Sequence, residues 1–217
     1  MAAERPPRLV ILISGSGTNL QAFIDRANSE QLPAGIAAVI SNKPEIKGLE
    51  RAEKAGIPCE VIDHRNYASR ESFDQALVNT ADQYQPDLVI LAGFMRILTP
   101  VFVDHYAGRL MNIHPSLLPK YPGLNTHQRA IDAGDKVAGA TVHFVTSELD
   151  GGPSIIQAQV PVEKDDTADT LAARVLQVEH QIYPLAARWY CEDRLQLRGR
   201  EVLLDGKVLP AQGYIYS

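Results

Sequence analysis

Two segments, RLVILIS at Arg8–Ser14 and DLVILAGF at Asp87–Phe94, are almost unbroken runs of apolar, mostly branched side chains. A strand with one wet face would place polar residues at every second position, so these runs suit burial on both faces, as in a parallel sheet covered by helices. Shorter strand patterns follow at Gly35–Ser41, Cys59–Asp63 and Arg109–Ile113. Between them, helical spacing occupies Asn19–Ala27, Lys47–Ala55, Ser69–Tyr84 and Thr99–His105, with a further helix at Thr126–Ala133. Phe73, Leu77, Ala81 and Tyr84 mark the buried stripe of the third helix, and Gly56 and Pro58 stop the second. Strand, helix, strand, repeated in this way, predicts an α/β fold with a doubly wound, mostly parallel sheet.

The second half changes character. Val137–Thr146 and Ser154–Val162 read as strands joined by SELDGGP, whose Gly151-Gly152-Pro153 demands a tight bend, so an antiparallel strand pair is expected towards the C-terminal half. Thr167–Tyr190 is a long helical pattern, capped near Asp166 or Thr167 and broken or bent at Pro184. The tail EVLLDGKVLP reads as a hairpin around Asp205-Gly206. No repeat, low-complexity tract or linker divides the 217 residues, of which 45% are apolar, and a single domain over 1–217 is expected.

A net charge of -5 with both signs interspersed offers no basic stripe for nucleic acid and no polybasic membrane anchor, which points to small-molecule partners. Cys59 and Cys191 lack metal-site or disulfide-framework spacing, as suits a reducing compartment. No run of eighteen apolar residues occurs, and MAAERPPR lacks the apolar core of a signal peptide. The expectation is a soluble, cytoplasmic protein.

In open α/β sheets, ligands sit beyond the carboxyl ends of the strands. After the first strand comes SGSGTNL, Ser14–Leu20. Glycines there let backbone N–H groups approach an anion, and the next helix directs its positive end to the same place, so a phosphate fits; a plain tight turn is the alternative. A nicotinamide dinucleotide is not expected. Leu20 stands where the third glycine would be, and Ser41-Asn42-Lys43 gives no acidic residue for a ribose. The Gly-Lys-Ser/Thr of a nucleotide-binding P-loop is missing, and the six histidines show no metal-ligand spacing.

Other strand ends supply Arg96, Asn112, His114 and Asp150. MNIHPSLLPKYPG, Met111–Gly123, places Asn112 and His114 two residues apart, hence on one face if the strand persists that far, and stiffens its exit with Pro115, Pro119 and Pro122. Asn, His and Asp together suit acyl transfer to an amine: an amide N–H can stabilise the oxyanion, an imidazole can move the proton, and a carboxylate can orient the imidazole. Taken singly, each has an ordinary structural role, a hydrogen-bonded histidine or turn chemistry at Asp150.

LISGSGTNLQA, ILAGFMRIL, LMNIHPSLLPKYPG and HFVTSELDGGPSIIQ, in this order and spacing from Leu9 to Tyr214, resemble the 10-formyltetrahydrofolate-dependent formyltransferases. The resemblance implies a Rossmann-like formyltransferase domain whose N-terminal part binds phosphate and whose C-terminal part contributes folate and catalytic loops. It implies direct transfer of the formyl group of 10-formyltetrahydrofolate to the amine of 5-phosphoribosylglycinamide in de novo purine biosynthesis, through a tetrahedral intermediate, with no metal and no nicotinamide cofactor. Gly17, Thr18 and Asn19 would hold the phosphate and Glu179 the ribose hydroxyls. Arg70, Met95, Arg96, Ile97 and Leu98 would bind the folate. Asn112 would hydrogen-bond the formyl oxygen, protonated His114 would stabilise the oxyanion and relay a proton, and Asp150 would raise the His114 pKa through its charge or a bound water. A deformylase, with water as acceptor, normally carries an N-terminal regulatory domain, and the formyltransferase acting on methionyl-tRNA an additional C-terminal domain; neither is expected here. A non-catalytic ribonucleotide-binding module would leave Asn112, His114 and Asp150 idle. Either a monomer or a homodimer is compatible with these residues.

Overall fold

The structure, a computed structural model, describes residues 5–217; the first four residues of the MAAERPPR segment lie outside it. The chain forms two compact units, one ending at Met111 and the other running Asn112–Ser217. The division falls inside a strand, so it leaves no break in composition.

The first unit contains β1 (Arg8–Ile13), α1 (Thr18–Asn28), β2 (Gly35–Ser41), α2 (Lys47–Lys54), β3 (Cys59–Val61), α3 (Arg70–Asp82), β4 (Leu88–Leu91) and α4 (Pro100–Val103). Its strands run parallel in the order β4-β1-β2-β3. Leu9–Ile13 and Leu88–Leu91 are all buried, as their unbroken apolar runs require. β4 is shorter than its apolar run: the Ala92 N–H donates to the Leu12 carbonyl at 2.9 Å, and the chain then leaves the ladder. A 3-10 turn at His64–Asn66, with Asp63 accepting the Arg65 N–H, was not legible from periodicity. α3 starts with a capping box in which Ser69 and Ser72 satisfy each other's backbone N–H.

β5 (Leu110–His114) carries the chain from the first unit into the second. There follow α5 (Thr126–Asp132), β6 (Val137–Phe144), β7 (Ser154–Pro161), α6 (Ala168–Cys191), β8 (Leu195–Arg198), β9 (Glu201–Leu204), β10 (Lys207–Val208) and β11 (Tyr214–Tyr216). β6 and β7 are antiparallel, Ala140 facing Ala158. The chain is therefore α/β, mostly parallel, with antiparallel strands towards its C-terminal end, as the sequence predicts.

Two features of this half depart from the sequence expectation, and a third, the tail hairpin, bears it out and extends it. α6 is capped by Thr167 and runs unbroken through Pro184; the proline gives no N–H to the ladder, but Ile182, Tyr183, Pro184, Ala186 and Ala187 are all buried, and that packing holds the segment helical. The tail hairpin β9–β10 turns at Asp205-Gly206, both with left-handed φ, and β8 extends it to a three-stranded antiparallel sheet. β11 pairs parallel with β7, Tyr214 opposite Ile156, and Tyr214 meets the Trp189 ring edge-on at 5.3 Å. Three residues are too few for a strand period to register. Among the described residues no helix is long and apolar enough to cross a membrane.

Candidate active site

β5 stays extended through His114, so Asn112 and His114 project from one face. His114 is buried and Asn112 half-buried. The His114 ring has partners at both nitrogens. Nε2 lies 2.7 Å from the Tyr121 carbonyl oxygen, and Nδ1 lies 3.5 Å from Asp150 Oδ2. A carbonyl can only accept, so Nε2 carries a proton and Nδ1 is the nitrogen that faces the carboxylate.

Asp150 is held from two sides. Its Oδ2 accepts the Gly123 N–H at 2.9 Å, and the residue itself adopts a left-handed φ of 51° in the β6–β7 turn. Gly152 is obligatory there, because a Cβ would lie 1.7 Å from the Phe144 carbonyl oxygen. The turn glycines predicted from SELDGGP thus serve the placement of Asp150.

The loop leaving β5 is fixed by more than its prolines. Thr141 Oγ1 donates to the Ser116 carbonyl at 2.8 Å and accepts the Leu118 N–H at 3.1 Å. Gln157 Nε2 donates to the Leu118 carbonyl at 2.7 Å and to Thr141 Oγ1 at 3.0 Å. Both side chains are buried on β6 and β7, where unpaired polar groups would be costly, so the hydrogen bonds lock the loop to the strands. The Leu118–Pro119 peptide is cis.

His143, two residues beyond Thr141 on β6, is a member of this site that the sequence reading passed over. It is 2% exposed, its Nδ1 lies 2.9 Å from the Phe144 carbonyl oxygen, and its Nε2 lies 4.0 Å from Asp150 Oδ1 with no hydrogen-bond partner. Burial, the largest influence, pushes its pKa below the usual histidine value; the Phe144 carbonyl and Asp150 act against this, and His114 adds to it. Its one sequence signal is a histidine in phase with Thr141 inside an apolar strand. Glu179 lies on the buried face of α6.

In the first unit the glycine loop and the Met95–Leu98 loop are joined through one hydroxyl. Met95 N–H donates to Ser14 Oγ at 2.8 Å, and Ser14 Oγ donates to Asn42 Oδ1 at 2.5 Å. Gly17, with φ 73°, is the N-cap of α1 and makes no side-chain cap hydrogen bond to it. A Cβ on Gly17 would come 2.7 Å from Gly48 Cα. The loop's carbonyls point the other way: Gly48 N–H donates to Gly15 at 3.0 Å and Arg51 Nε to Ser16 at 2.7 Å. Met95 and Ile97 are 66% and 60% exposed, and the Arg96 guanidinium lies 5.5 Å above the Phe73 ring. Arg70 is exposed at the start of α3. Among the described residues no group of three or more His, Cys, Asp or Glu side chains could hold a metal ion.

Comparison with known proteins identifies the family of the chain. A formyl transferase family model matches residues 7–187. The phosphoribosylglycinamide formyltransferase of Escherichia coli K12 is 53% identical over 206 residues, which are 95% of this chain and 97% of that protein. The human trifunctional purine biosynthetic protein adenosine-3 is 45% identical over 89% of this chain, and the match covers 19% of that longer protein. The solved phosphoribosylglycinamide formyltransferase of Coxiella burnetii superposes with a TM-score of 0.94 at 49% identity, covering 98% of this chain and 100% of that one. Glycinamide ribonucleotide transformylase 1 of Symbiobacterium toebii gives a TM-score of 0.90 at 45% identity, over 94% and 99% of the two chains. A family model that matches residues 7–187 and a relative 53% identical over 95% of the chain lead to one assignment: the chain belongs to the formyl transferase family.

Proposed function

We propose that this chain transfers the formyl group of 10-formyltetrahydrofolate to the amine of 5-phosphoribosylglycinamide, in de novo purine biosynthesis in the cytoplasm, as a monomer or homodimer. The observation that carries the reading is the pairing of His114 with Asp150 at the end of the strand that bears Asn112. The near full-length similarity to a phosphoribosylglycinamide formyltransferase supports it.

In this reading the amine attacks the formyl carbon, a C–N bond forms, and the carbonyl oxygen takes the electron pair. Asn112 donates its amide N–H to that oxygen, and protonated His114 stabilises the same charge. His114 has to exchange one of its present partners, the Tyr121 carbonyl or Asp150, for that oxygen. Collapse breaks the bond between the formyl carbon and N10 of the folate. The proton lost by the amine, relayed by His114, neutralises the leaving nitrogen, so no proton is gained or lost overall. Asp150 balances the charge of the imidazolium.

Gly17, Thr18 and Asn19 bind the phosphate, consistent with their place at the start of α1, and Glu179 binds the ribose hydroxyls. Met95, Ile97 and Leu98 provide an apolar wall for the pterin, consistent with the exposure of the first two, while Arg96 and Arg70 provide cations for the polar part of the folate. The test is formyl transfer followed by folate absorbance with the ribonucleotide present and then omitted. Turnover only with the ribonucleotide is expected. Loss of donor at the same rate without it would make water the acceptor and overturn the reading.

A further inference from the structure

We propose that Asp74 is a positioning residue for the Gly93–Leu98 loop and thereby sets the affinity for 10-formyltetrahydrofolate; the inference rests on the folate reading of Met95–Leu98 given above. Asp74 sits in α3 and is 1% exposed. Its Oδ2 accepts both the Thr99 N–H, at 2.6 Å, and the Thr99 hydroxyl, at 2.7 Å. Thr99 is the residue at which the loop ends and α4 begins. At the other end the Met95 N–H is fixed on Ser14 Oγ. Between these anchors the loop exposes Met95 and Ile97, apolar side chains that an unrestrained loop would turn inward to bury.

α3 therefore restrains the loop twice within two residues. Phe73 lies under the Arg96 guanidinium, and the next residue, Asp74, holds Thr99. A carboxylate is a demanding choice for such a buried place. Desolvation pushes the Asp74 pKa up, the two Thr99 bonds and the charge of Arg96 pull against it, and Glu71 adds to the rise. Hydrogen bonds to a charged acceptor are stronger than neutral ones, and two bonds to one oxygen give a firm latch from a single side chain. A loop held in its binding shape before the ligand arrives loses less entropy on binding, so loosening the latch weakens affinity without touching the reacting groups.

The plain alternative is that Asp74 merely caps α4, in which case its loss lowers stability and affects both substrates alike. The experiment uses the full chain with Asp74→Asn and Thr99→Val, titrating 10-formyltetrahydrofolate and the ribonucleotide separately and following amide hydrogen exchange over residues 93–98. The expected result for Asp74→Asn is a Kd for the folate raised roughly tenfold, an unchanged Kd for the ribonucleotide, and faster exchange in the loop. Thr99→Val, which keeps the N–H and loses the hydroxyl, shifts the folate Kd less and in the same direction; the double variant falls short of the product of the two. Should Asp74→Asn fail to fold, Thr99→Val carries the test. Unchanged exchange in a folded variant overturns the latch, as does equal weakening of both substrates. Faster exchange with an unchanged folate Kd overturns the folate reading of the loop and this inference with it. Wild-type protein that binds no folate overturns both.

Discussion

His114 presents Nδ1 to Asp150 at 3.5 Å because its Nε2 is engaged by the Tyr121 carbonyl at 2.7 Å. The carboxylate in turn is held by the Gly123 N–H at 2.9 Å. Tyr121 and Gly123 belong to the same loop, so one short segment sets the orientation of both the imidazole and the carboxylate. The imidazole and the carboxylate therefore depend on one support and act as one unit.

His114→Ala and Asp150→Ala are expected to be non-additive in kcat. The double variant should be about as slow as the worse single one, since the second loss falls on a unit already disabled. Steady-state rates of the three variants decide it. A double variant whose defect is the product of the singles would separate the two residues.

Asn112→Ala should lower kcat by roughly 100-fold or more, the scale for removing one oxyanion donor, with smaller changes in substrate affinity. Single-turnover rates at saturating substrates measure this directly. A folded variant with near-normal turnover would remove the Asn112 amide from the chemistry.

His143 makes stability fall in acid. Its folded pKa is pushed below the ordinary 6.5, mainly by burial, so the unfolded chain takes up the proton first. The contribution is fully present above pH 6.5 and is lost as pH falls through that value towards the depressed one. His127, also lowered chiefly by burial, acts in the same direction. Urea midpoints measured from pH 8 to 5 should therefore decline below about pH 6.5, and His143→Gln should flatten part of the decline. An unchanged slope in the variant would assign the acid sensitivity to other groups.

Gly17→Ala should both destabilise the chain and weaken the ribonucleotide site. The residue has φ 73°, and the added Cβ would meet Gly48 Cα at 2.7 Å, so the loop must shift away from α2. A cost of about 1–3 kcal/mol is expected from the backbone alone, together with a raised Kd for the ribonucleotide. Chemical denaturation and ligand titration give the two quantities. Unaltered ribonucleotide affinity in a destabilised variant would dissociate the glycine loop from phosphate binding.

Much of this molecule is written in local sequence. The unbroken apolar runs of β1 and β4 required burial on both faces, and the parallel order around them follows. Gly17, Gly152 and the two-residue spacing of Asn112 and His114 could be read for the same reason: a turn's dihedral needs and a strand's alternation are properties of a few neighbouring residues. What the sequence could not supply is which distant groups meet. Asp74 and Thr99, or Gln157 and the Leu118 carbonyl, look like ordinary polar positions until the fold buries them against each other. The same holds for His143, where a strand phase is visible and the approach of its Nε2 to Asp150 is not. Periodicity records how a segment divides its own faces between water and core; the identity of a buried polar partner depends on long-range packing, and only the tertiary structure decides it.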